Sequence, residues 1–290
     1  MTQIITSLSE ISESYDALFC DLWGCVHDGL TPFAEAVAAL QAFRAKGGTV
    51  MMVTNAPRPH APVRRQLERL GVPSDAYDGI ATSGDSARAA MLRGAVGEKV
   101  YFIGQSHDQD FFTPLELIEN PVVISQVALE QAEGIVCCGP FDPLADPDEM
   151  RAQFLQAKAR GLKLLCANPD IVVDRGETRE WCAGALAKLY TEMGGESLYF
   201  GKPHPPIYDL ARRRLEALGK DIPDSRILCV GDGILTDIDG AMGEDLDSLF
   251  ITGGLAAQET QTTDQPDPAA LTAYLTKEMR QPTYCIGKLR

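Results

Sequence analysis

The sequence predicts an α/β protein: a parallel-sheet core into which a second α/β domain is inserted. Three observations predict it. Short apolar runs alternate along the chain with apolar residues at helical spacing, as strands joined by crossover helices do. The runs themselves are continuous rather than alternating, which suits strands covered on both faces. In the outer segments each run stops at a polar or charged residue, the place where an open α/β sheet collects its ligands.

The first strand sets the pattern. Residues 16–29 read Asp-Ala-Leu-Phe-Cys-Asp-Leu-Trp-Gly-Cys-Val-His-Asp-Gly, so the apolar run Ala17 to Cys20 ends at the carboxylate of Asp21. Phe33, Val37, Leu40 and Arg44 then follow a helical spacing widened by Ala36 and Phe43, and Gly47-Gly48 end that helix. A second strand, Thr49 to Val53, ends in Thr54-Asn55 before Pro57 and Pro59 break the chain. Val63, Leu67 and Leu70 mark a helix stopped by Gly71. Gly79 to Ser83 reads as a third strand, with a helix over Gly84 to Leu92 leaving it.

From there the pattern restarts. Apolar runs at Val100 to Ile103, Ile135 to Cys138 and Leu162 to Cys166, with a helical stretch at Met150 to Arg160, predict a second α/β unit over residues 84–196. No long flexible linker flanks it, which argues for an insertion packed on the first domain. The first pattern resumes with Leu198 to Phe200 leading into Gly201-Lys202-Pro203, followed by a helix carrying Ile207, Leu210, Leu215 and Leu218. Arg226 to Val230 is a buried strand ending in Gly231-Asp232-Gly233-Ile234-Leu235-Thr236-Asp237, and Ser248 to Ile251 is another, ending in Thr252-Gly253-Gly254. Residues 258–268 read as polar loop and Leu271 to Met279 as a closing helix, while the tail after Pro282 gives no signal.

Composition narrows the partners. Among 290 residues, 26 Lys and Arg stand against 41 Asp and Glu, and a net charge of −15 repels nucleic acid and anionic membrane surfaces. The N-terminal residues lack the basic and apolar regions of a signal peptide, and no apolar run approaches the ~18 residues of a membrane span, so a cytoplasmic protein is expected. The 8 Cys form no Cys-x-x-Cys pair and mostly lie in apolar runs, which predicts small buried hydrophobes rather than disulfides or a zinc site. Negative charge also repels a small phosphorylated substrate unless a metal ion or local cations neutralise it.

The polar strand ends meet that requirement. Asp21, Asp232 and Asp237 supply hard oxygen ligands suited to Mg²⁺, Thr54 and Asn55 offer donors to phosphoryl oxygens, and Lys202 adds a point charge. An ionised Asp21 is able to attack phosphorus once a cation cancels the repulsion. Gly231-x-Gly233 alone is weak evidence for a dinucleotide site, because Thr236 stands where a third glycine belongs. No Cys has an Arg six residues later, which disfavours a cysteine phosphatase.

With these motifs in this order, nearly the whole chain resembles the haloacid dehalogenase superfamily of phosphohydrolases. The resemblance is to the branch with a large α/β cap between the second and third motifs, which includes sugar phosphatase-like and nitrophenylphosphatase-like proteins. It rests on Asp21, on Thr54, on Lys202 in Gly-Lys-Pro, and on Asp232 and Asp237 in Gly-Asp-Gly-Ile-Leu-Thr-Asp-Ile. It implies a Rossmann-like catalytic core of residues 1–83 and 197–290 with a cap of residues 84–196. It further implies Asp21 as nucleophile, Thr54 and Asn55 as phosphoryl binders, Lys202 as charge clamp, and a Mg²⁺ site of Asp21, Asp232, the Trp23 backbone carbonyl and Asp237 in or just behind the metal shell. Asn168-Pro169-Asp170 resembles a turn of caps in this branch, so Asn168 and Asp170 are candidate substrate contacts beside the plainer reading of an ordinary turn.

One position departs from the family. Its first motif has a second Asp, the general acid and base, two residues after the nucleophile; here that residue is Trp23. An indole N–H neither protonates a leaving alkoxide nor deprotonates water. His27 and Asp28 are possible substitutes, though turn roles suit them better. Arg58 is a further candidate phosphate contact, with an exposed helix-start position the preferred reading. The expected function is Mg²⁺-dependent hydrolysis of a small phosphorylated metabolite through an aspartyl-phosphate; the alternative is a protein that binds such a metabolite without efficient turnover.

Overall fold

The computed structural model describes residues 2–113, 120–176 and 178–290. Its larger sheet has seven strands in the order Gln3–Ile4, Tyr284–Ile286, Asp247–Ile251, Ile227–Gly231, Ala17–Cys20, Thr49–Thr54 and Gly79–Thr82, and every neighbouring pair is parallel. Ala17–Cys20 is flanked on both sides and wholly buried, as its unbroken apolar run requires. Leu18 and Cys20 pack with Leu40, Phe43, Val63 and Leu67 from the helices Ala34–Ala45 and His60–Leu70. Ala17 and Phe19 point the other way, into Ile207, Tyr208 and Leu215 of the helix Pro205–Ala217. Each fully buried Leu or Phe of these layers contributes roughly 1.5–3 kcal/mol, which fixes the strand end where Asp21 follows.

A second parallel sheet runs Glu196–Tyr199, Lys163–Cys166, Gly134–Cys137, Lys99–Ile103 and Ser125–Gln126. One face is covered by the helices Arg151–Ala159 and Ala183–Glu192, through Phe154, Leu186 and Tyr190. The other takes Ala87, Met91 and Leu92 of the helix Ser83–Leu92, the element that leads out of the core. That helix starts cleanly because the Thr82 hydroxyl accepts from the Asp85 N–H at 2.9 Å. An antiparallel hairpin, Val172–Arg175 with Thr178–Trp181, hangs from this domain over the core, where the Gly176 N–H reaches the Asp28 carbonyl at 3.3 Å.

The return boundary differs from the sequence expectation. Glu196–Tyr199 pairs with Lys163–Cys166 in the second sheet, Leu198 opposite Leu165, so the chain re-enters the core near Gly201 rather than at residue 197. A short apolar run ahead of a motif carries no mark of which sheet it joins. The silent tail also has structure: Tyr284–Ile286 pairs in parallel with Asp247–Ile251, and Gln3–Ile4 extends the sheet beyond it. No helix among the described residues is long and apolar enough to cross a membrane. All eight cysteines are buried free thiols.

Candidate active site

Strand order brings the separate motifs to one place. Asp21 follows the central strand, Thr54 ends the neighbour on one side, and Asp232 and Asp237 follow the neighbour on the other. Lys202 reaches in from the returning chain, its Nζ 2.8 Å from Asp21 Oδ1 and 2.6 Å from Asp237 Oδ1. Only 4% of the Lys202 side chain is exposed, so this bridge is screened little by solvent. Thr54 is buried; its Oγ1 accepts from the Ala56 N–H at 3.3 Å, which leaves the hydroxyl proton free to donate.

Asp237 spends both oxygens inside the protein, since Oδ2 accepts from the Gly233 N–H at 3.1 Å while Oδ1 meets Lys202. It stands behind the lysine. Asp21 and Asp232 instead come together, with carboxylate oxygens and the Cys25 sulfur all within 4.8 Å of one another. Glycines make the room: a Cβ on Gly24, whose φ is +71°, or on Gly254 would strike the Asp232 carboxylate. Asp232 Oδ2 accepts from the Leu255 N–H at 3.0 Å.

The electrostatics call for a cation. Burial, then the charges of Asp21 and Asp237, push Asp232 well above the ordinary carboxylate range. Burial raises Asp237 to about 6, and Lys202 holds it from rising further. Asp21 is likewise raised by burial against the pull of Lys202. Burial draws Lys202 down, but Asp21, Asp237 and Asp170 outweigh it and keep the ammonium charged. Cys25 is not a soft ligand here, because burial and the adjacent Asp232 push its thiol far up. The donors that remain are hard oxygens, the set that suits Mg²⁺.

Asn55 is placed differently from its expected part. Its Oδ1 accepts from the Lys202 N–H at 2.7 Å, and its Nδ2 donates to the Lys202 carbonyl at 3.0 Å and to Asp170 Oδ1 at 2.7 Å. The side-chain amide is fully spent on structure, which leaves the backbone N–H as what Asn55 can offer a phosphoryl oxygen. Of the Asn-Pro-Asp turn, Asn168 Oδ1 caps the Asp170 N–H at 3.0 Å and Asp170 faces the core. Burial raises Asp170 to about 6 against the pull of Lys202 and Asn55.

Trp23 lies half-buried with its ring on Gly29, where a Cβ would strike it. The Arg175 guanidinium of the cap hairpin lies over that ring, 5.4 Å from the centroid. His27 is buried, and burial lowers it to about 4, so it is a neutral imidazole whose Nδ1 accepts from the Gly29 N–H at 3.0 Å. Asp28 holds its own turn, accepting from the N–H groups of Leu30 at 2.9 Å and Thr31 at 2.7 Å. Both have turn roles. Arg58, expected at an exposed helix start, is instead half-buried in the wall of the cleft and bonded to Gln66.

Two neighbouring spaces share Asp21, Trp23 and Asp170 in their walls. One, of about 460 Å³, runs outward between core and cap past Arg58, Arg69 and Trp181. The other, of about 220 Å³, lies over Asp232 and Gly254. Arg69, Arg175 and Trp181 escaped the sequence reading because they sit in a helix end and a hairpin with no motif around them. The glycine pair after the strand Asp247–Ile251 was the one signal that pointed to the wall behind Asp232.

Comparison with known proteins agrees with this arrangement. A haloacid dehalogenase-like hydrolase family model matches residues 18–117, and a related HAD-hydrolase-like model matches residues 199–277. D-glycerol 3-phosphate phosphatase of Mycobacterium tuberculosis is 26% identical over 287 residues, 98% of this chain and 72% of that protein. The crystal structure of glycerol phosphate phosphatase from the same organism, in complex with magnesium, superposes with a TM-score of 0.69 at 24% identity, covering 99% of this chain and 78% of that one. A crystal structure from Brucella suis described as a hydrolase of the haloacid dehalogenase-like family is 40% identical, covers 99% of this chain and 100% of that one, and superposes with a TM-score of 0.86. Two motif-bearing strands flanking Asp21, a lysine returning between the carboxylates and a full-length relative at this identity lead to one conclusion: the chain belongs to the haloacid dehalogenase-like hydrolase family.

Proposed function

We propose that this protein hydrolyses phosphate monoesters of small metabolites with Mg²⁺, carrying the phosphoryl group transiently on Asp21. The observation that supports this best is the Lys202 ammonium bridging Asp21 and Asp237 beside Asp232. Asp21 Oδ attacks phosphorus and the bond to the leaving oxygen breaks; water then attacks the phospho-Asp21 and releases phosphate. Lys202 holds the Asp21 carboxylate and offsets charge developing on the phosphoryl oxygens. The Thr54 hydroxyl and the Asn55 backbone N–H would donate to those oxygens.

Asp21, Asp232 and the Trp23 backbone carbonyl would hold the metal, with Asp237 behind them. The fit rests on hard oxygen donors gathered around a single ammonium, which leaves net negative charge in the site. When bound, Mg²⁺ cancels the repulsion between that cluster and a phosphate dianion. A cytoplasmic setting belongs to the proposal, since eight buried thiols in one chain stay reduced most readily there.

Trp23 favours a second reading, binding of a phosphorylated metabolite without efficient turnover, because no acid stands at that position. Turnover of 4-nitrophenyl phosphate separates the two. The hydrolase reading expects activity with Mg²⁺ that disappears with a chelator; binding of phosphate with no turnover at any Mg²⁺ concentration would overturn it in favour of the second.

A further inference from the structure

The outer space of the cleft departs from the rest of the molecule in charge. In a chain of net charge −15, three guanidinium groups, Arg58, Arg69 and Arg175, line one cavity of about 460 Å³ that opens at Asp21. They come from three separate elements: the loop after the strand Thr49–Thr54, the end of the helix His60–Leu70, and the cap hairpin. The carboxylates in the same wall are already committed. Asp108 accepts from the Gln105 N–H at 2.9 Å, Asp170 from Asn55, and Glu180 from Arg175 at 3.0 Å. Among the described residues no carboxylate lies within ion-pair distance of Arg58 or Arg69.

Arg58 is also within electrostatic range of the other two. Burial lowers its pKa, and the charges of Arg175 and Arg69 lower it further against the pull of Asp108 and Asp110. Arg58 is half-buried, Arg69 and Arg175 are exposed, and Arg175 also pairs with Glu180, so the unmatched positive charge in this wall sits on Arg58 and Arg69, where an anion would offset it. Arg175 is kept there by its place over the Trp23 ring. The phosphoryl group itself belongs at Asp21, Thr54 and Lys202, on the floor of the cleft. These arginines line its outer wall, on the path of whatever the phosphoryl group is attached to.

We infer that the substrate carries a second anionic group, a carboxylate or a second phosphate, which Arg58, Arg69 and Arg175 receive at the mouth of the cleft. This rests on the hydrolase reading above and adds the substrate class to it. Guanidinium forks suit both groups, since each presents paired oxygens in a geometry an arginine meets with two N–H donors. A cavity of this size holds a small metabolite with an anion at each end.

Matched substrate pairs test it in the full-length protein with Mg²⁺. 3-Phosphoglycerate against glycerol 3-phosphate examines a carboxylate, and fructose 1,6-bisphosphate against fructose 1-phosphate examines a second phosphate. In at least one pair the doubly anionic member should show about tenfold or higher kcat/KM, arising mainly in KM. Arg58→Gln, Arg69→Gln and Arg175→Gln should each narrow that ratio, and added salt should raise KM more steeply for the doubly anionic member. Ratios near one in both pairs, or a preference unchanged in all three variants, would overturn the inference. Should 4-nitrophenyl phosphate show no turnover, the hydrolase reading fails by itself; calorimetric binding of the same pairs then reads the same ratio.

Discussion

Asp170 of the cap accepts a hydrogen bond from Asn55 of the core at 2.7 Å, and the same Asn55 amide grips the backbone of Lys202 on both sides. Cap position and Lys202 are thereby tied to a single side chain. Asn55→Ala should lower kcat/KM by tenfold or more, with Lys202 itself intact. Steady-state kinetics on the variant checks this, and an unchanged kcat/KM would show that the tie is unnecessary.

Asp170 also gives a pH dependence. Burial raises its carboxyl to about 6, above the unfolded value near 3.9. Such a group binds its proton more tightly when folded, so it favours the native state most at low pH and progressively less between about pH 4 and 6. In metal-free protein, wild type should therefore lose stability relative to Asp170→Asn across that window. Partial exposure in the cleft limits the difference to on the order of 1–2 kcal/mol. Denaturant unfolding at pH 4 and pH 7 reads it, and equal changes in both proteins would remove the assigned shift.

Asp232 lies against Asp21 in a wall of glycines, at a strand end rather than in the core. Asp232→Ala should cost most of the Mg²⁺ affinity while the fold survives, and it should make the metal-free protein more stable at neutral pH by removing a carboxyl whose ionised form burial disfavours. Titration calorimetry and thermal unfolding give the two readouts. Wild-type Mg²⁺ affinity in the variant would take the metal away from this position.

In the proposed mechanism Trp23 offers the leaving group no proton, and neither neighbour is placed to replace it: His27 is neutral and buried, and Asp28 is held by its turn. Aryl phosphates should then turn over far better than alkyl phosphates of matched charge. Trp23→Asp should raise the alkyl-to-aryl ratio of kcat/KM by something like 10²–10⁴, provided the space left beside Gly29 does not disturb the loop. If wild type hydrolyses alkyl and aryl esters alike and His27→Ala or Asp28→Ala erases the alkyl activity, the acid has been relocated.

Asp85 ties the outgoing helix to the core through His60 Nδ1 at 2.8 Å and Arg214 Nη2 at 2.5 Å, and meets Arg88 Nη1 of its own helix at 3.2 Å. Burial pushes its carboxyl up, but His60 and Arg214 outweigh that and bring it to about 2. A lowered carboxyl contributes stability above the unfolded pKa and loses it as pH falls toward 2. Asp85→Asn should destabilise the protein at pH 7 by roughly 2–4 kcal/mol, since the buried Arg88 guanidinium and the partly buried Arg214 lose their carboxylate partner. Chemical denaturation at pH 7 measures it, and a change below about 0.5 kcal/mol would show the cluster to be incidental.

Particular residues show how much of this was legible in the sequence. Ala17–Cys20 and Ile227–Gly231 announced themselves because strands buried on both faces are apolar throughout, and Asp21 and Asp232 stood out as charges ending such runs. Glu196–Tyr199 was assigned to the core because pairing partners leave no trace in a short apolar run. Tyr284–Ile286 was missed, since a three-residue strand carries too little pattern. Asn55 was read as a ligand-binding amide because its type permits that; its actual bonds go to Lys202 and Asp170, more than a hundred positions away. The arginines of the cleft wall belong to the same class of fact: only the docked hairpin sets Arg175 over Trp23.

The most direct test of the account is acid quenching of the protein during turnover of an aryl phosphate with Mg²⁺, followed by mass spectrometry of the peptide containing Asp21. Without a base at Trp23 to help water attack, the phosphorylated enzyme should accumulate, with the adduct on Asp21 and absent in Asp21→Asn, which should also be inactive. Turnover that proceeds with no adduct on Asp21, or that persists in Asp21→Asn, would contradict it.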